Sequence, residues 1–321
     1  MEFKERNNRV WTHAVMVCFV LICTFVTAAA QAKKPVDTMF RTIYVISEPD
    51  AIVWIDGVKY GKTAEDGKLT ITTVAPGKRV FRIRADGFKE VTKTVLPTQN
   101  GNLEILLTKT TDQAELAYQQ AETLSTTDRD KAAESYQKAI RLRPQFVQAL
   151  VGLARVYSEG GQGEKAQSAI KAVRKINPRV AEASVIEGRI FKDGGEDVKA
   201  IASFKRAITE ASGFQPEAHT GLGLIYKERA ENAAANGDYE LEDKNYSEAA
   251  RYFSIAVKQL SGAPDSVILY QFLGLVYEQQ KKYQQAIVVY QEFLRLFPDH
   301  PESATLESYI VQLKKQLDES K

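Results

Sequence analysis

The second half of this chain repeats every 34 residues, and that period restricts its fold more than any other feature. Ala132, Ala166 and Ala200 are 34 apart, as are Tyr136, Ile170 and Phe204, and Ala139, Val173 and Ala207. Pro144 and Pro178 keep the interval, and so do Tyr157 and Phe191. A fixed period of this length marks stacked supersecondary units that cannot bury enough surface singly. The residue types suit pairs of helices. Ala154, Gly188, Gly223 and Gly274 are small enough for one helix of a pair to approach the other, and Tyr136, Ile170, Phe204, Phe253 and Tyr290 fill the gap between neighbours. Pro144, Pro178, Pro264 and Pro298 stop the second helix of each pair, because proline disfavours helix in the residue before it.

The 34-residue period with small residues at helix crossings resembles the tetratricopeptide repeat. The resemblance covers residues 113–300, about five repeats, with residues 301–321 as a capping helix. The first repeat is degenerate, with Gln120 or Ala121 at its crossing. Leu306, Tyr309, Ile310, Leu313 and Leu317 give the last segment one apolar face. The fourth repeat is long. Gly223 and Ala249 are 26 apart where the regular spacing is 12, and three further residues precede Pro264. Split evenly, the larger insertion adds seven residues to each helix, close to two turns, so the core-facing side keeps its register. A projecting helical arm follows as an expectation, with Tyr239, Leu241 and Tyr246 near its tip.

Residues 42–108 have a different texture, with short alternating runs between glycine turns. Thr42–Ser47, Ala51–Asp56, Leu69–Val74, Arg79–Ala85, Glu90–Leu96 and Leu103–Leu107 read as strands. In the fourth, Phe81, Ile83 and Ala85 fall on one face and Val80, Arg82 and Arg84 on the other. A small antiparallel β-sandwich is expected. Ser47-x-Pro49-x-Ala51-x-Val53-x-Ile55-Asp56-Gly57, Gly61-Lys62-Thr63, Ala75-Pro76-Gly77-Lys78 and Asp86-Gly87-Phe88 resemble the PEGA family. Asp50 stands where that family usually has glycine, and Ala64 where it has proline. The family occurs in exported and surface proteins of microbes, and no catalytic role carries over from it. The expected class is therefore multidomain: a PEGA-like β-domain followed by an all-α solenoid.

The first 32 residues read as a secretory signal. Lys4, Arg6 and Arg9 precede the uncharged run Ala14–Val26, and Ala30-x-Ala32 or Ala28-x-Ala30 suits a signal peptidase. The alternative is an uncleaved membrane anchor. Both place the rest of the chain outside the cytoplasm. Cys18 and Cys23 are the only cysteines, so the remainder has no thiol for a disulfide, a nucleophile or a metal.

Nothing in the sequence assembles a catalytic or cofactor site. Gly57–Thr63 is one residue short of a phosphate-binding loop and leads into a strand, not a helix. His219 and His300 have no partner at metal-ligand spacing. Gly160–Lys165 and Asp193–Glu196 occupy equivalent turns, and Asn236–Asp243 lacks calcium-loop spacing. A formal net charge of +2 makes nucleic acid an unexpected partner.

Tetratricopeptide geometry implies a groove lined by the first helices. It would carry Arg155, Arg189, Lys192 and Lys227, with Gln148, Glu182 and Thr220 beside them. Such a groove suits a protein partner or an extended, acidic peptide segment. The expected function is a non-enzymatic interaction scaffold of the bacterial envelope, periplasmic or at the cell surface. The rival is a module that binds carbohydrate or peptidoglycan through Trp54 and Tyr60 of the β-domain.

Overall fold

The computed structural model describes residues 40–260 and 262–319; the signal reading of residues 1–32 lies outside them. Seven strands come first: β1 Arg41–Ile46, β2 Ile52–Ile55, β3 Val58–Lys62, β4 Lys68–Val74, β5 Arg79–Arg84, β6 Val91–Val95 and β7 Gly101–Glu104. They form two sheets, ordered β4-β1-β7 and β3-β2-β5-β6. Alternation sets what lies between them. Phe81 and Ile83 on β5 are wholly buried while Val80 between them and Arg79 is 37% exposed. Ile43, Val45, Val53, Ile71 and Leu103 from the other strands join the same core.

Two features depart from the sequence expectation. Strand β3 was not anticipated. Asp56 and Gly57, at φ 51° and 86°, make a two-residue turn that folds Val58–Lys62 back on β2. A register shift opposite Val53 and Trp54 breaks its period of two, so the segment does not look like a strand. The sandwich also has a parallel pair: β7 runs beside β1 in the same direction, while the other paired strands are antiparallel.

Helices follow: α1 Gln113–Leu124, α2 Arg129–Leu142, α3 Val147–Glu159, α4 Gly163–Ile176, α5 Ala181–Asp193, α6 Asp197–Glu210, α7 Pro216–Ala235, α8 Tyr239–Leu260, α9 Val267–Gln279, α10 Tyr283–Leu296 and α11 Ser303–Glu319. A 3-10 turn, Pro264–Ser266, precedes α9. The odd-numbered helices from α1 to α9 are the first helices of five pairs. Among them α1 touches α3, α3 touches α5 and α5 touches α7, which places them on the inner side of the curve.

Glycine sets the helix spacing. A Cβ on Gly188 of α5 would stand 2.8 Å from the Phe204 ring of α6, and one on Gly221 of α7 would enter the same ring from the other side. Phe204 is thus held between the first helix of its own pair and that of the next. Gly223 stands in the same relation to Phe253, Gly274 to Tyr290, and Gly152 to Tyr136 of the preceding pair. In the first repeat Ala121 takes the crossing, fully buried, and Gln120 faces out.

The insertion in repeat four lengthens both helices. α7 has 20 residues and α8 has 22, against 13 in α5 and 14 in α6. Ala230 and Ala233 of α7 stay buried, so the core-facing side continues into the extension. Tyr239 and Leu241 lie at the tip, 74% and 44% exposed. Tyr246 does not: it is 4% exposed and packs in the core of the pair, two turns down α8. In α11, Leu306, Ile310 and Leu313 are buried as expected, but Tyr309 is 45% exposed and belongs to the outer edge of that face.

The glycine clamp leads to a test. Gly221→Ala gains about 1 kcal/mol of helix propensity but overpacks the Phe204 ring. Overpacking costs about 1–3 kcal/mol, so the array should lose stability. The loss should shrink in a Phe204→Leu background, and denaturant unfolding of the four proteins of that cycle measures it.

Candidate functional site

The helical array meets the β-domain at two separate places. At α1, Gln119 accepts a hydrogen bond from the Gly87 N–H at 2.9 Å and donates to the Phe88 carbonyl at 2.8 Å. Arg84 is 3% exposed; it pairs with Glu122 at 3.4 Å and lies over the Tyr118 ring at 5.1 Å. At the far side of the array the Tyr60 hydroxyl donates to the Leu260 carbonyl at 3.2 Å. The Thr73 hydroxyl donates to the Gly262 carbonyl at 3.3 Å. Val58 joins the core cluster that contains Leu260 and Ala263, and Arg295 of α10 lies 5.3 Å from the Phe40 ring. The three residues inserted before Pro264 therefore lie where the β-domain rests.

A cavity of 1010 Å³ is lined by residues of both the β-domain and the array. Gly57 and Arg82 line it from the β-domain; Tyr118, Gln148, Val151, Arg155 and Glu182 are among those lining it from the helices. Gln148 and Glu182, both exposed, occupy matching positions on α3 and α5.

The cations of the inner face are paired within the molecule. Arg155 donates to both carboxylate oxygens of Glu217, at 2.9 and 3.2 Å, reaching from repeat two to repeat four. Arg189 donates to Glu159 at 3.0 Å and also to Glu217. Lys192 stands 3.8 Å from Glu228, and Lys227 pairs with Glu231 on its own helix. The Thr220 hydroxyl donates to the Pro216 carbonyl of its own helix at 2.9 Å. Burial alone would raise the Glu217 pKa, but Arg155 and Arg189 hold it below its ordinary value. Burial alone would lower the Arg155 pKa, and the Glu217 carboxylate more than offsets that.

Glu217 is the residue the sequence reading missed. It begins α7 where Gln148 and Glu182 begin α3 and α5, but it follows Glu182 by 35 residues, one later than the period. That single slip hides the equivalence.

The remaining candidates have local explanations. Trp54 is 9% exposed and covered by the Arg82 guanidinium, 3.9 Å from the ring centroid. Tyr60 is turned to Leu260 as described. Neither offers an open face for a sugar ring. His219 is buried, 6.0 Å from the Tyr252 ring. Burial lowers its pKa, against the opposing pull of its bond to the Gly213 carbonyl. His300 Nδ1 accepts from the Glu302 N–H at 3.2 Å. Gly161 and Gly195, at φ 70° and 73°, close equivalent turns between paired helices. Among the described residues no group of three or more His, Cys, Asp or Glu could hold a metal ion, and no helix is long and apolar enough to cross a membrane.

Removing the shared carboxylate tests this account. Glu217→Gln leaves Arg155 and Arg189 facing each other with less countercharge in a half-buried setting. Breaking a fully buried pair costs about 3–5 kcal/mol, and partial exposure discounts that to roughly 1–2 kcal/mol. Denaturant unfolding should show the loss, and it should be smaller in an Arg155→Gln background.

Comparison with known proteins agrees with the architecture. Residues 40–111 match the PEGA domain, and residues 124–184 and 234–301 match tetratricopeptide repeat families. No curated protein sequence matches the chain. Among solved structures, yeast Tom70 is similar, with 16% identity and a TM-score of 0.50 over 64% of this chain and 41% of that one. PilF of Pseudomonas aeruginosa shares 14% identity over 64% of this chain and 86% of its own, TM-score 0.48. MamA shares 21% over 61% and 96%, TM-score 0.41. At 16% identity the likeness to Tom70 concerns the fold alone. The chain therefore consists of a PEGA domain followed by an array of tetratricopeptide repeats.

Proposed function

We propose that this chain is an exported, non-enzymatic scaffold of the bacterial cell envelope that holds an extended segment of a protein partner on the inner face of its repeats. The observation that carries the reading is the cavity of 1010 Å³ lined by the β-domain and by helices α1, α3 and α5 among others, with polar side chains and half-buried apolar ones together. Such a lining suits a polypeptide: main chain for Gln148 and Glu182, side chains for Val151 and Tyr118. Tetratricopeptide repeats support protein binding as the class of function. The basic start, apolar run and Ala30-x-Ala32 exit support export.

The internal pairing changes what kind of segment fits. Glu217 and Glu159 together already neutralise Arg155 and Arg189, so the groove does not call for a strongly acidic partner. Arg179 and Glu182 line the cavity together, so a segment of mixed charge complements it.

Capture from envelope extracts, followed by mass spectrometry, tests the reading. Replacing the exposed Gln148 and Glu182 together with alanine should lower capture several-fold, while replacing Tyr239 and Leu241 at the arm tip should not. Capture that ignores the first pair and follows the second would move the partner site to the arm. Mass spectrometry of the native chain should find a new N-terminus at Lys33, or at Gln31 if the earlier site is cut. Intact residues 1–30 would replace cleavage with a retained anchor.

A further inference from the structure

Successive repeats differ in one of their surface hollows. A pocket of 410 Å³ is lined by α2, α3 and α4. Ile140, Leu150, Leu153 and Tyr157 make its apolar lining, and the exposed Arg141 and Lys165 belong to it as well. One period later the counterparts of Ile140, Leu150 and Leu153 are Arg174, Ser184 and Glu187. There Arg174 donates to Ser184 at 2.9 Å and pairs with Glu187 at 3.4 Å, so the matching hollow is polar and satisfied within the molecule. Stacking of the helix pairs tolerates charge at these positions, and the apolar lining of the first pocket is not a requirement of the repeat. The cations beside it are not neutralised. Among the described residues Arg141 and Lys165 have no carboxylate partner, and Lys165 donates to the neutral Gln162 at 2.8 Å. The helices α2 and α4 each carry four basic residues, against two acidic ones and one.

The α7–α8 arm ends in the complementary chemistry. Residues 230–243 hold five acidic residues and no basic one. Asp238 accepts from the Leu241 N–H at 3.1 Å, and Asp243 accepts from Gln280 at 2.7 Å. Glu240 and Glu242 have no ion pair among the described residues, and they stand beside Tyr239, which is 74% exposed. No residue of α7 or α8 lines the pocket, so the tip of the same molecule does not fill it. From an apolar pocket with a basic rim and an exposed aromatic with an acidic surround, we propose that the arm tip of one molecule docks in the α2–α3–α4 pocket of a second copy of this chain. Tyr239 enters the pocket, and Glu240 and Glu242 lie against Arg141 and Lys165. Each molecule carries one tip and one pocket, so the contact is head-to-tail. It repeats from copy to copy, closing into a ring or continuing as a filament according to the rotation at each step. Self-docking does not depend on the inner groove, because the pocket shares no lining residue with the cavity of 1010 Å³.

Sedimentation velocity of the full chain over a concentration series tests the contact. The sedimentation coefficient should rise with protein concentration, and rise less at high salt, where the rim charges are screened. Tyr239→Ala with Leu241→Ala removes the anchor and should weaken association about tenfold or more. Arg141→Glu with Lys165→Glu reverses the rim and should weaken it several-fold. All four side chains are exposed, so the helical signal should stay unchanged. Arg141→Gln with Lys165→Gln should act in the same direction with a smaller loss, and it guards against a reversed rim that misfolds. A mixture of the two variants gives the sharpest reading. The rim variant keeps its tip and the tip variant keeps its pocket, so together they should recover one contact and stop at a 1:1 pair. Replacing Gln148 and Glu182 with alanine should leave self-association as it was, which keeps failure here distinct from failure of the groove. A parent chain whose sedimentation coefficient does not change with concentration overturns the proposal. So does association that persists undiminished in folded tip and rim variants, since it then belongs to another part of the chain. A mixture that fails to pair, or that grows beyond a pair, rules out the head-to-tail contact.

Discussion

The molecule depends on how closely its helices can approach one another. A ring from the second helix of a pair lies against glycine on the first, and in the case of Phe204 against glycine on two successive first helices. Those missing Cβ atoms bring the first helices near each other and put them on the short side of the curve. The curve brings Arg155 within hydrogen-bond distance of Glu217, two repeats away. It also brings the last repeats round to face the first, so that one small β-domain can touch α1 and the Gly262 turn together. A larger residue at the clamp would change the curvature, and the inner ion pairs and the β-domain contacts would change with it.

The ion pairs on the inner face limit what electrostatics can contribute to recognition. Arg155, Arg189 and Glu217 satisfy one another at partial burial, where hydrogen-bonded charges are worth more than at an exposed rim. A partner that competes for those arginines must replace an existing carboxylate. Shape and main-chain bonding therefore carry more of the specificity here than net charge, and Gln148 and Glu182 are exposed polar groups among those that line the cavity.

Much of this was legible in the sequence, because periodicity reports local packing. The 34-residue interval located the helix pairs, the stopping prolines located their ends, and the count of inserted residues gave the length of the α7–α8 extension. Less legible were the features that depend on contacts between distant parts of the chain. Strand β3 is held by a turn and a bulge that break its alternation. The parallel pairing of β7 with β1 joins segments nearly 60 residues apart. Tyr246 was placed near the tip because the insertion was counted as if its whole length projected, whereas the lower turns still carry core positions. Glu217 fell one residue out of step. The docking of Tyr60 and Thr73 on residues near 260 leaves no local pattern at all, since each side reads as an ordinary turn or strand.

The parallel pairing has a mechanical meaning. Because β1 and β7 run in the same direction side by side, the chain enters the β-domain at one end of that pair and leaves for α1 at the other. Tension between the N-terminal side of Arg41 and the helical array would act along the strands in opposite senses. The rungs from Ile43–Gly101 to Ile46–Glu104 would then be strained together in shear and not opened one after another like a zipper. A domain wired in this way transmits a pull from whatever holds its leading end to its repeats without first coming apart.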